Sequence, residues 1–279
     1  MPAYGLGTWQ MGGQMTADYT NDESDIAAIK ASLDRGITHI DTAEMYGAGH
    51  SEELVGEAIK DRDRSKLIIT TKVSRGMAEG YDGVLKAAEA SLKRLGTDYI
   101  DIYLLHHYPL SPVEEVMKAM DKLVEGGLVK NIGVCNMTVE RFEEIQKCTS
   151  NKLVCNQVHY SVQMREPEIR GLIQNAIDND HFITAWGPLE KGLLDQGDML
   201  QKLADKYGKT PYQVALNWVM AQPNTITIPK TSSIEHLGEN LGALGWQLDP
   251  GDVEMLSKNF PNQQSVSHRV PLDHKAGNV

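Results

Sequence analysis

The feature that most constrains the fold is an alternation of short apolar segments with longer segments whose apolar residues recur at helical spacing. Eight such pairs follow one another without a break in composition. The predicted strands are Tyr4–Trp9, Ile37–Thr42, Lys66–Val73, Tyr99–His106, Leu128–Cys135, Val154–Tyr160, Phe182–Trp186 and Thr225–Pro229. This pattern predicts an α/β fold whose parallel sheet closes on itself, a (β/α)8 TIM barrel forming a single domain over residues 1–279. An open doubly wound sheet is less consistent, because no GxGxxG segment follows a predicted strand.

The helical segments complete the eight units and extend beyond them. The predicted helices are Asp25–Arg35, Ser51–Lys60, Leu85–Leu95, Pro112–Glu125, Val139–Cys148, Glu168–Asp178, Leu200–Tyr207 with Pro211–Met220, and Ile234–Leu241. A further outer helix is predicted over Asp249–Lys258, and the polar residues 263–279 are predicted to be a flexible carboxyl-terminal tail.

Composition narrows the classes of partner. The net charge is −11 and lysine and arginine form no cluster, which argues against nucleic acid or an anionic membrane as the partner. No apolar run approaches the roughly 18 residues of a membrane span, and the start MPAYGLGTW lacks a basic segment followed by an apolar one. We therefore expect a cytoplasmic protein with a small-molecule partner; the oligomeric state stays open.

Cysteines and histidines give no metal-ligand spacing. Cys135, Cys148 and Cys155 form no CxxC pair, so reduced thiols are the simplest interpretation. The residues His50, Glu52, Glu53, His159 and His236 fall on different elements, so we predict no metal site.

Polar side chains stand where the predicted strands end. The second strand ends at Asp41 and Tyr46 follows in the next loop, although an aspartate there usually closes a turn and a loop tyrosine usually packs. The other strand ends carry Lys72, His106 with His107, Cys135 with Asn136, Asn156 with Gln157, Trp186, and Lys230. Functional groups of such barrels lie at the carboxyl ends of the strands. Lys72 alone fits a Schiff-base former, a phosphate clamp or an electrostatic partner. Pairing with Asp41 would favour proton transfer.

Asp41, Tyr46, Lys72 and His106, in this order and at these strand ends, resemble the catalytic tetrad of the aldo-keto reductases. Eight segments resemble that family's motifs in the family's order, from about Tyr4 to Asn240, and the compact loops resemble a bacterial or archaeal branch. They are LGTW at Leu6, DTAEMYG at Asp41, TTKV at Thr70, DIYLLH at Asp101, GVCN at Gly133, NQV at Asn156, WGPLEKG at Trp186 and IPKTSSIEHLGEN at Ile228.

The resemblance implies reduction of small aldehydes or ketones, hydroxyaldehydes or sugar-derived carbonyls, by an NADP-dependent oxidoreductase. Tyr46 would donate the proton to the carbonyl oxygen, and Lys72 would lower the pKa of that tyrosine. Asp41 would hold Lys72, and a neutral His106 would orient the carbonyl. Two alternatives remain: a regulatory or redox-sensing subunit of the same family, and a barrel lyase using Lys72 as a Schiff-base former.

The resemblance also implies a site for NADP (NADPH), with NAD as the second candidate. Asn136 and Gln157 would bind the carboxamide, and Trp186, where the family usually has tyrosine, would stack on the nicotinamide. The implied cofactor residues are Gly7, Thr8, Trp9, Asp41, Asn136, Gln157, Trp186, Gly187, Pro188, Leu189, Lys191, Gly192, Ile228, Lys230, Thr231, Ser232, His236, Glu239 and Asn240. His236 replaces a common arginine, and a histidine can lose its charge near neutral pH. We therefore expect an NADP preference that weakens as pH rises.

The resemblance places Trp9, Met45, His107 and Tyr108 around the substrate. HHYP stands where the family often has HWP, and matching from Asp101 forward assigns His106 to the tetrad. His39 lies inside a strand and is predicted to pack in the barrel wall. Cys135 replaces a common serine and is predicted only to fill a small site.

Overall fold

The computed structural model describes residues 1–77, 79–194 and 197–272, and it contains eight parallel strands whose spatial order follows the sequence. They are β1 Leu6–Gly7, β2 His39–Asp41, β3 Ile68–Val73, β4 Ile100–Leu105, β5 Val129–Cys135, β6 Leu153–His159, β7 Phe182–Trp186 and β8 Thr225–Thr227. Backbone hydrogen bonds join the last strand to the first: the nitrogen of Gly5 donates to the oxygen of Thr227 at 2.8 Å, and the nitrogen of Thr227 donates to the oxygen of Ala3 at 2.9 Å. The predicted (β/α)8 TIM barrel, in one domain, is confirmed.

The helices surround the barrel in the predicted order. They are α1 Asp22–Asp34, α2 His50–Ile59, α3 Gly80–Leu95, α4 Val113–Glu125, α5 Val139–Gln146, α6 Glu166–Ile169, α7 Leu172–Asp178, α8 Gly197–Tyr207, α9 Pro211–Met220, α10 Ile234–Leu241 and α11 Pro250–Asn259. The single helix predicted over 168–178 is two helices, because Gly171 between them has φ 75° and interrupts the helical path. Within the described ranges, every helix is too short or too polar to span a bilayer.

Helix starts follow local capping chemistry. The side chains of Thr138, Thr210 and Ser233 accept backbone N–H groups at the starts of α5, α9 and α10. At α9, Gln213 returns a bond to the backbone of Thr210, completing a capping box. These side chains satisfy donors that a helix end leaves unpaired, which fixes where each helix begins.

Alternation along the strands separates two apolar layers. Tyr103 and Leu105 pack outward in the large core between strands and helices, whereas Ile102 and Leu104 pack with Cys135 in a smaller cluster. Cys135 thus fills a small buried site, as predicted. All three cysteines are free thiols.

The polar residues after 262 differ from the flexible tail that the sequence predicted. The backbone nitrogen of Gln264 donates to the oxygen of Gln163 at 2.8 Å, and the nitrogen of Arg165 donates to the oxygen of Gln264 at 2.9 Å. Ser267 and Leu272 are buried. These contacts hold residues 264–272, which we call the C-terminal segment, against the barrel, and residues 273–279 lie outside the described residues.

The amino-terminal rim of the barrel is held by a buried carboxylate on β4. Oδ2 of Asp101 accepts from Nη2 of Arg64 at 2.7 Å and from the nitrogen of Ile69 at 3.0 Å, and Oδ1 accepts from Nζ of Lys130 at 3.1 Å. The carboxylate therefore connects β3, β4 and β5 at the amino-terminal face of the barrel, where residues contribute to stability and not to catalysis.

We predict that Asp101→Ala lowers the free energy of unfolding by about 3 kcal/mol, because it leaves a buried N–H and a half-buried guanidinium without their acceptor. Urea unfolding followed by far-UV circular dichroism measures this. The matched control is Asp34→Ala, which breaks an exposed ion pair with Arg62 and should leave the midpoint close to that of the parent. Equal midpoints for the two variants would contradict the prediction.

Candidate active site

A cavity of about 870 Å³ opens at the carboxyl ends of the strands. Most of the residues proposed from the sequence line it. They are Gly7, Thr8, Trp9, Asp41, Met45, Tyr46, His106, His107, Asn136, Gln157, Trp186, Gly187, Pro188, Leu189, Lys191, Gly192, Ile228, Lys230, Thr231, His236, Glu239 and Asn240. The strand order therefore brings together side chains that are up to 232 residues apart, from Thr8 to Asn240.

Lys72 is fully buried beside this cavity and has three hydrogen-bond acceptors. Its Nζ donates to Oδ1 of Asp41 at 2.6 Å, to the backbone oxygen of Thr42 at 2.7 Å and to the hydroxyl of Tyr46 at 3.3 Å. Burial lowers the pKa of Lys72, but Asp41 and Tyr46 raise it more, so the pKa lies above its usual range. Lys72 is therefore a fixed ammonium and a poor nucleophile.

The strand register explains this pairing. Asp41 pairs with Thr70 on β3, and Lys72 is two residues further along the same strand. Residues two apart share a face, so Asp41 and Lys72 both point into the barrel. The second carboxylate oxygen of Asp41 accepts from Nε2 of Gln157 at 2.6 Å, across the barrel from β6. Gln157, predicted to bind the cofactor, thus also fixes Asp41.

Tyr46 stands in a short 3₁₀ turn whose backbone requires glycine. At Gly47, φ is 56° and an added Cβ would lie 2.2 Å from the oxygen of Gly12, so no side chain fits. The Tyr46 ring contacts Trp9 edge to face at 4.8 Å and His106 at 5.7 Å. This turn brings the phenol over the ends of β2 and β3.

Lys72 lowers the pKa of Tyr46, as expected, but burial has a larger effect in the opposite direction. Burial raises the pKa of Tyr46 to about 12, and the nearby ammonium of Lys72 only partly opposes that shift. The physical reason is that desolvation of a phenolate here costs more than one charge contact returns. Tyr46 is therefore fully protonated at neutral pH.

His106 is neutral, as expected. Burial lowers its pKa well below the ordinary histidine value, and the charges of Lys72 and His107 act in the same direction. Within the described part of the chain, Nδ1 of His106 is buried without a hydrogen-bond partner. The imidazole stacks on His107 at 4.8 Å. A neutral imidazole beside a protonated phenol can hydrogen-bond a carbonyl oxygen without supplying a full charge.

Trp186 ends β7 and lines the cavity. Its Nε1 donates to Oδ1 of Asn136 at 3.1 Å, and Asn136 adopts φ 57°, which turns its amide toward the indole. A flat aromatic ring and an amide therefore lie side by side at the strand ends.

Of the residues predicted from Lys230 to Asn240, all but one line the cavity. Lys230, Thr231, His236, Glu239 and Asn240 line it, but Ser232 lines a neighbouring polar cleft. Gln10, Tyr212, Pro229, Arg269 and Val270 also line the cavity and were not predicted. Arg269 and Val270 lie in the C-terminal segment, which no local pattern connects to the barrel.

Tyr108 and His39 also lie outside the cavity lining. Tyr108 was expected to contact substrate, but its hydroxyl donates to Oε1 of Glu144 at 2.9 Å and Arg141 lies 4.0 Å from its ring. Contacts with α5 thus hold Tyr108 away from the cavity. His39 packs in the wall, as predicted, with Nε2 2.9 Å from Oγ1 of Thr70.

Comparison with known proteins identifies the family. The sequence model described as the aldo/keto reductase family matches residues 3–259. The chain belongs to the aldo-keto reductase family. This aldo-keto reductase is 34% identical to the methylglyoxal reductase YeaE of Escherichia coli strain K12, over 94% of the chain and 92% of that protein.

Solved structures of aldo-keto reductases are similar to this chain in both fold and sequence. The thermostable aldo-keto reductase Tm1743, crystallised with the inhibitor epalrestat, has a TM-score of 0.89 and 42% identity, over 92% of this chain and 94% of that one. The aldo/keto reductase of Klebsiella pneumoniae, crystallised with NADP and acetate, has a TM-score of 0.86 and 36% identity, over 94% and 93%. Family membership makes this aldo-keto reductase an NADP-dependent oxidoreductase that reduces carbonyl groups.

The donor set of the cavity fits such a cofactor. Lys191, Lys230 and Arg269 present cations, and Asn136 and Trp186 present an amide and an aromatic face at the strand ends. Within the described residues, no three histidine, cysteine or acidic side chains converge as a metal site would require. The cavity thus offers cations for phosphate groups, and an amide with an aromatic face for a flat amide-bearing ring.

We predict that the pKa of His106 lies below that of an ordinary histidine and that the pKa of His50 lies above it. Burial keeps His106 neutral, whereas at His50 the carboxylates of Glu53 and Asp22 outweigh burial and raise the pKa. An NMR pH titration, assigned with His106→Gln and His50→Gln, should show the His50 midpoint above the ordinary histidine value and the His106 midpoint well below it. A His106 midpoint near pH 6.5 would refute the burial argument.

Proposed function

We propose that this aldo-keto reductase reduces small aldehydes and ketones, such as hydroxyaldehydes and sugar-derived carbonyls, with Tyr46 as the proton donor. The observation that carries the proposal is the single buried cluster in which Nζ of Lys72 contacts Oδ1 of Asp41 at 2.6 Å and the hydroxyl of Tyr46 at 3.3 Å. Proton donor, ammonium and carboxylate lie together at the cavity that also contains His106.

NADPH, when bound, supplies the hydride. The carbonyl oxygen then gains negative charge and needs a proton. Tyr46 provides it, since the phenol is protonated at neutral pH and an alkoxide is more basic than a phenolate. The phenolate left behind is stabilised by the ammonium of Lys72, which Asp41 holds in place. His106, neutral, orients the carbonyl oxygen toward the phenol.

We assign the cofactor residues by the same reasoning. Trp186 would stack on the nicotinamide, with Asn136 and Gln157 near its carboxamide. The loop from Gly187 to Gly192 would follow the diphosphate, and the residues from Lys230 to Asn240 would bind the adenosine end. Support comes from the lining of one continuous cavity by these groups and from the bound NADP of the Klebsiella relative.

The substrate class follows from the rim near Tyr46. Trp9, Met45 and His107 line this part of the cavity and offer one large ring, one adaptable thioether and one imidazole. The relative YeaE is named a methylglyoxal reductase, which supports small carbonyl compounds here. The proposal includes the cytoplasmic location predicted above. The free thiols of Cys135, Cys148 and Cys155 are consistent with it, because thiols stay reduced in that compartment.

The state of Lys72 argues against the alternative of a Schiff-base lyase. Covalent attack requires a neutral amine, but all three hydrogens of this ammonium have acceptors and its pKa is raised. Neutralising it would leave Asp41 buried without its counter-charge.

We expect Tyr46→Phe to lower kcat for carbonyl reduction by about 10²-fold or more, because it removes the proton donor. The dissociation constant for NADPH should change less than about threefold, since the ring is kept. Turnover with methylglyoxal and a fluorescence titration with NADPH measure these quantities. The control is Tyr99→Phe, whose hydroxyl donates to the backbone of Arg64, far from the cavity. Turnover of Tyr46→Phe within a few-fold of the parent would remove Tyr46 from this role.

We expect the preference for NADPH over NADH to be stronger at pH 6 than at pH 8. His236 and Lys230 both line the cavity, where a 2′-phosphate would need cations, and histidine, unlike arginine, is the side chain type whose charge ordinarily changes between pH 5 and 8. The ratio of Michaelis constants for NADH and NADPH at the two pH values measures this. His236→Arg should raise the ratio and make it independent of pH. A constant ratio in the parent, or an NADH preference at both values, would contradict the assignment.

A further inference from the structure

The indole of Trp186 lies flat on a buried histidine. His159, at the end of β6, stacks on Trp186 with ring centroids 4.2 Å apart and an angle of 8° between the planes. Trp186 lines the cavity and His159 does not, so the imidazole covers the indole face that is turned away from the cavity. A Cβ at Gly187 would lie 3.1 Å from the His159 ring, so glycine there leaves room for the stack.

Both nitrogens of His159 have polar neighbours. Nδ1 lies 2.9 Å from Oγ of Ser267 in the C-terminal segment. That hydroxyl oxygen already accepts the backbone N–H groups of Arg269 and Val270, at 3.2 and 3.1 Å, so its own hydrogen is donated to Nδ1. Nε2 therefore carries the ring hydrogen; it lies 3.1 Å from Oε1 of Glu190 but outside hydrogen-bonding geometry, so its contact with that carboxylate is electrostatic. The hydrogen bond from Ser267 thus fixes the tautomer of the ring.

Glu190 connects this histidine to the loop that follows Trp186. It is 3% exposed and has φ 51°, and its Oε1 accepts from the hydroxyl of Ser161 at 2.6 Å. Nη2 of Arg269 donates to its backbone oxygen at 3.2 Å. Burial raises the pKa of Glu190, but His159 and Ser161 lower it more, so the side chain is a carboxylate. Burial lowers the pKa of His159 and outweighs Glu190, so the imidazole is neutral.

We propose that His159 is a positioning residue for the cofactor: it fixes the plane of Trp186 and, through Ser267 and Glu190, makes that plane depend on the C-terminal segment. The inference rests on the proposed function, in which Trp186 stacks on the nicotinamide. An indole already held on one face loses little freedom when a second ring stacks on the other, so more of the stacking energy is expressed as affinity. Without His159 the indole would keep only the hydrogen bond from its Nε1 to Asn136, about which the ring plane can tilt.

A matched control exists elsewhere in the barrel. His181 precedes β7 at the opposite rim, is also buried, stacks on Phe142 at 4.3 Å and has Nε2 2.9 Å from Oδ1 of Asn175. His159→Ala and His181→Ala therefore remove the same side chain from the same kind of packing. A general loss of stability should affect both, whereas a loss of cofactor positioning should affect only His159→Ala.

The experiment is a fluorescence titration with NADPH, accompanied by Michaelis constants and by ¹⁹F NMR of protein labelled with 5-fluorotryptophan. We expect His159→Ala to raise the dissociation constant for NADPH by about fivefold to tenfold, with a smaller effect on kcat. Its Trp186 resonance should shift or broaden without cofactor. His159→Phe, which restores a flat ring, should recover part of the affinity. Ser267→Ala, which keeps the stack, should weaken binding by about twofold to fivefold.

The outcomes separate this inference from the proposed function. If the parent binds NADPH and both His159→Ala and His181→Ala bind it within twofold of the parent, the positioning role is overturned and the proposed function stands. If the parent does not bind NADPH, the proposed function fails and the inference fails with it. Should His159→Ala not fold, His159→Phe and Ser267→Ala decide the matter, and parent-like affinity in Ser267→Ala overturns the link to the C-terminal segment.

Discussion

The rest of the site depends on a charge buried inside the barrel. An ammonium without water is costly, and Lys72 is stable only because Asp41, Thr42 and Tyr46 surround its three hydrogens. Those acceptors come from β2 and the loop after it, and Gln157 on β6 fixes the second oxygen of Asp41. The charged centre therefore requires the closed barrel, and closing the barrel places the phenol of Tyr46 beside the ammonium of Lys72.

The same burial sets the proton chemistry. It raises the pKa of Tyr46 to about 12 even though Lys72 lies 3.3 Å away, so the resting protein holds the proton on oxygen. A donor of this kind is unreactive until a stronger base forms beside it. In the proposed mechanism, hydride transfer would create such a base on the carbonyl oxygen, so proton donation from Tyr46 would become favourable only as the reaction proceeds.

Sequence patterns predicted what depends on short-range order, and they missed what depends on long-range contacts. Strand alternation placed Asp41, Lys72 and His106 at one rim, because residues at the ends of parallel strands must meet there. Tyr108 was assigned by its position after His106, but Arg141 and Glu144 on α5 turn it away. Ser267 and Arg269 belong to a polar stretch without periodicity, and the partners that hold it are about 80 to 110 residues away, so no local signal could assign them a place.

The net charge of the chain and the charges that line the cavity have opposite signs. The chain carries a net charge of −11, which alone would repel an anionic cofactor. The cavity, however, is lined by Lys191, Lys230 and Arg269, against Glu239 and an Asp41 that Lys72 already neutralises. At physiological ionic strength, exposed charges beyond about 8 Å are largely screened, whereas contacts inside a cavity are screened much less. In the proposed cofactor site, these local cations would therefore set the affinity for phosphate groups, whereas the overall charge mainly affects solubility.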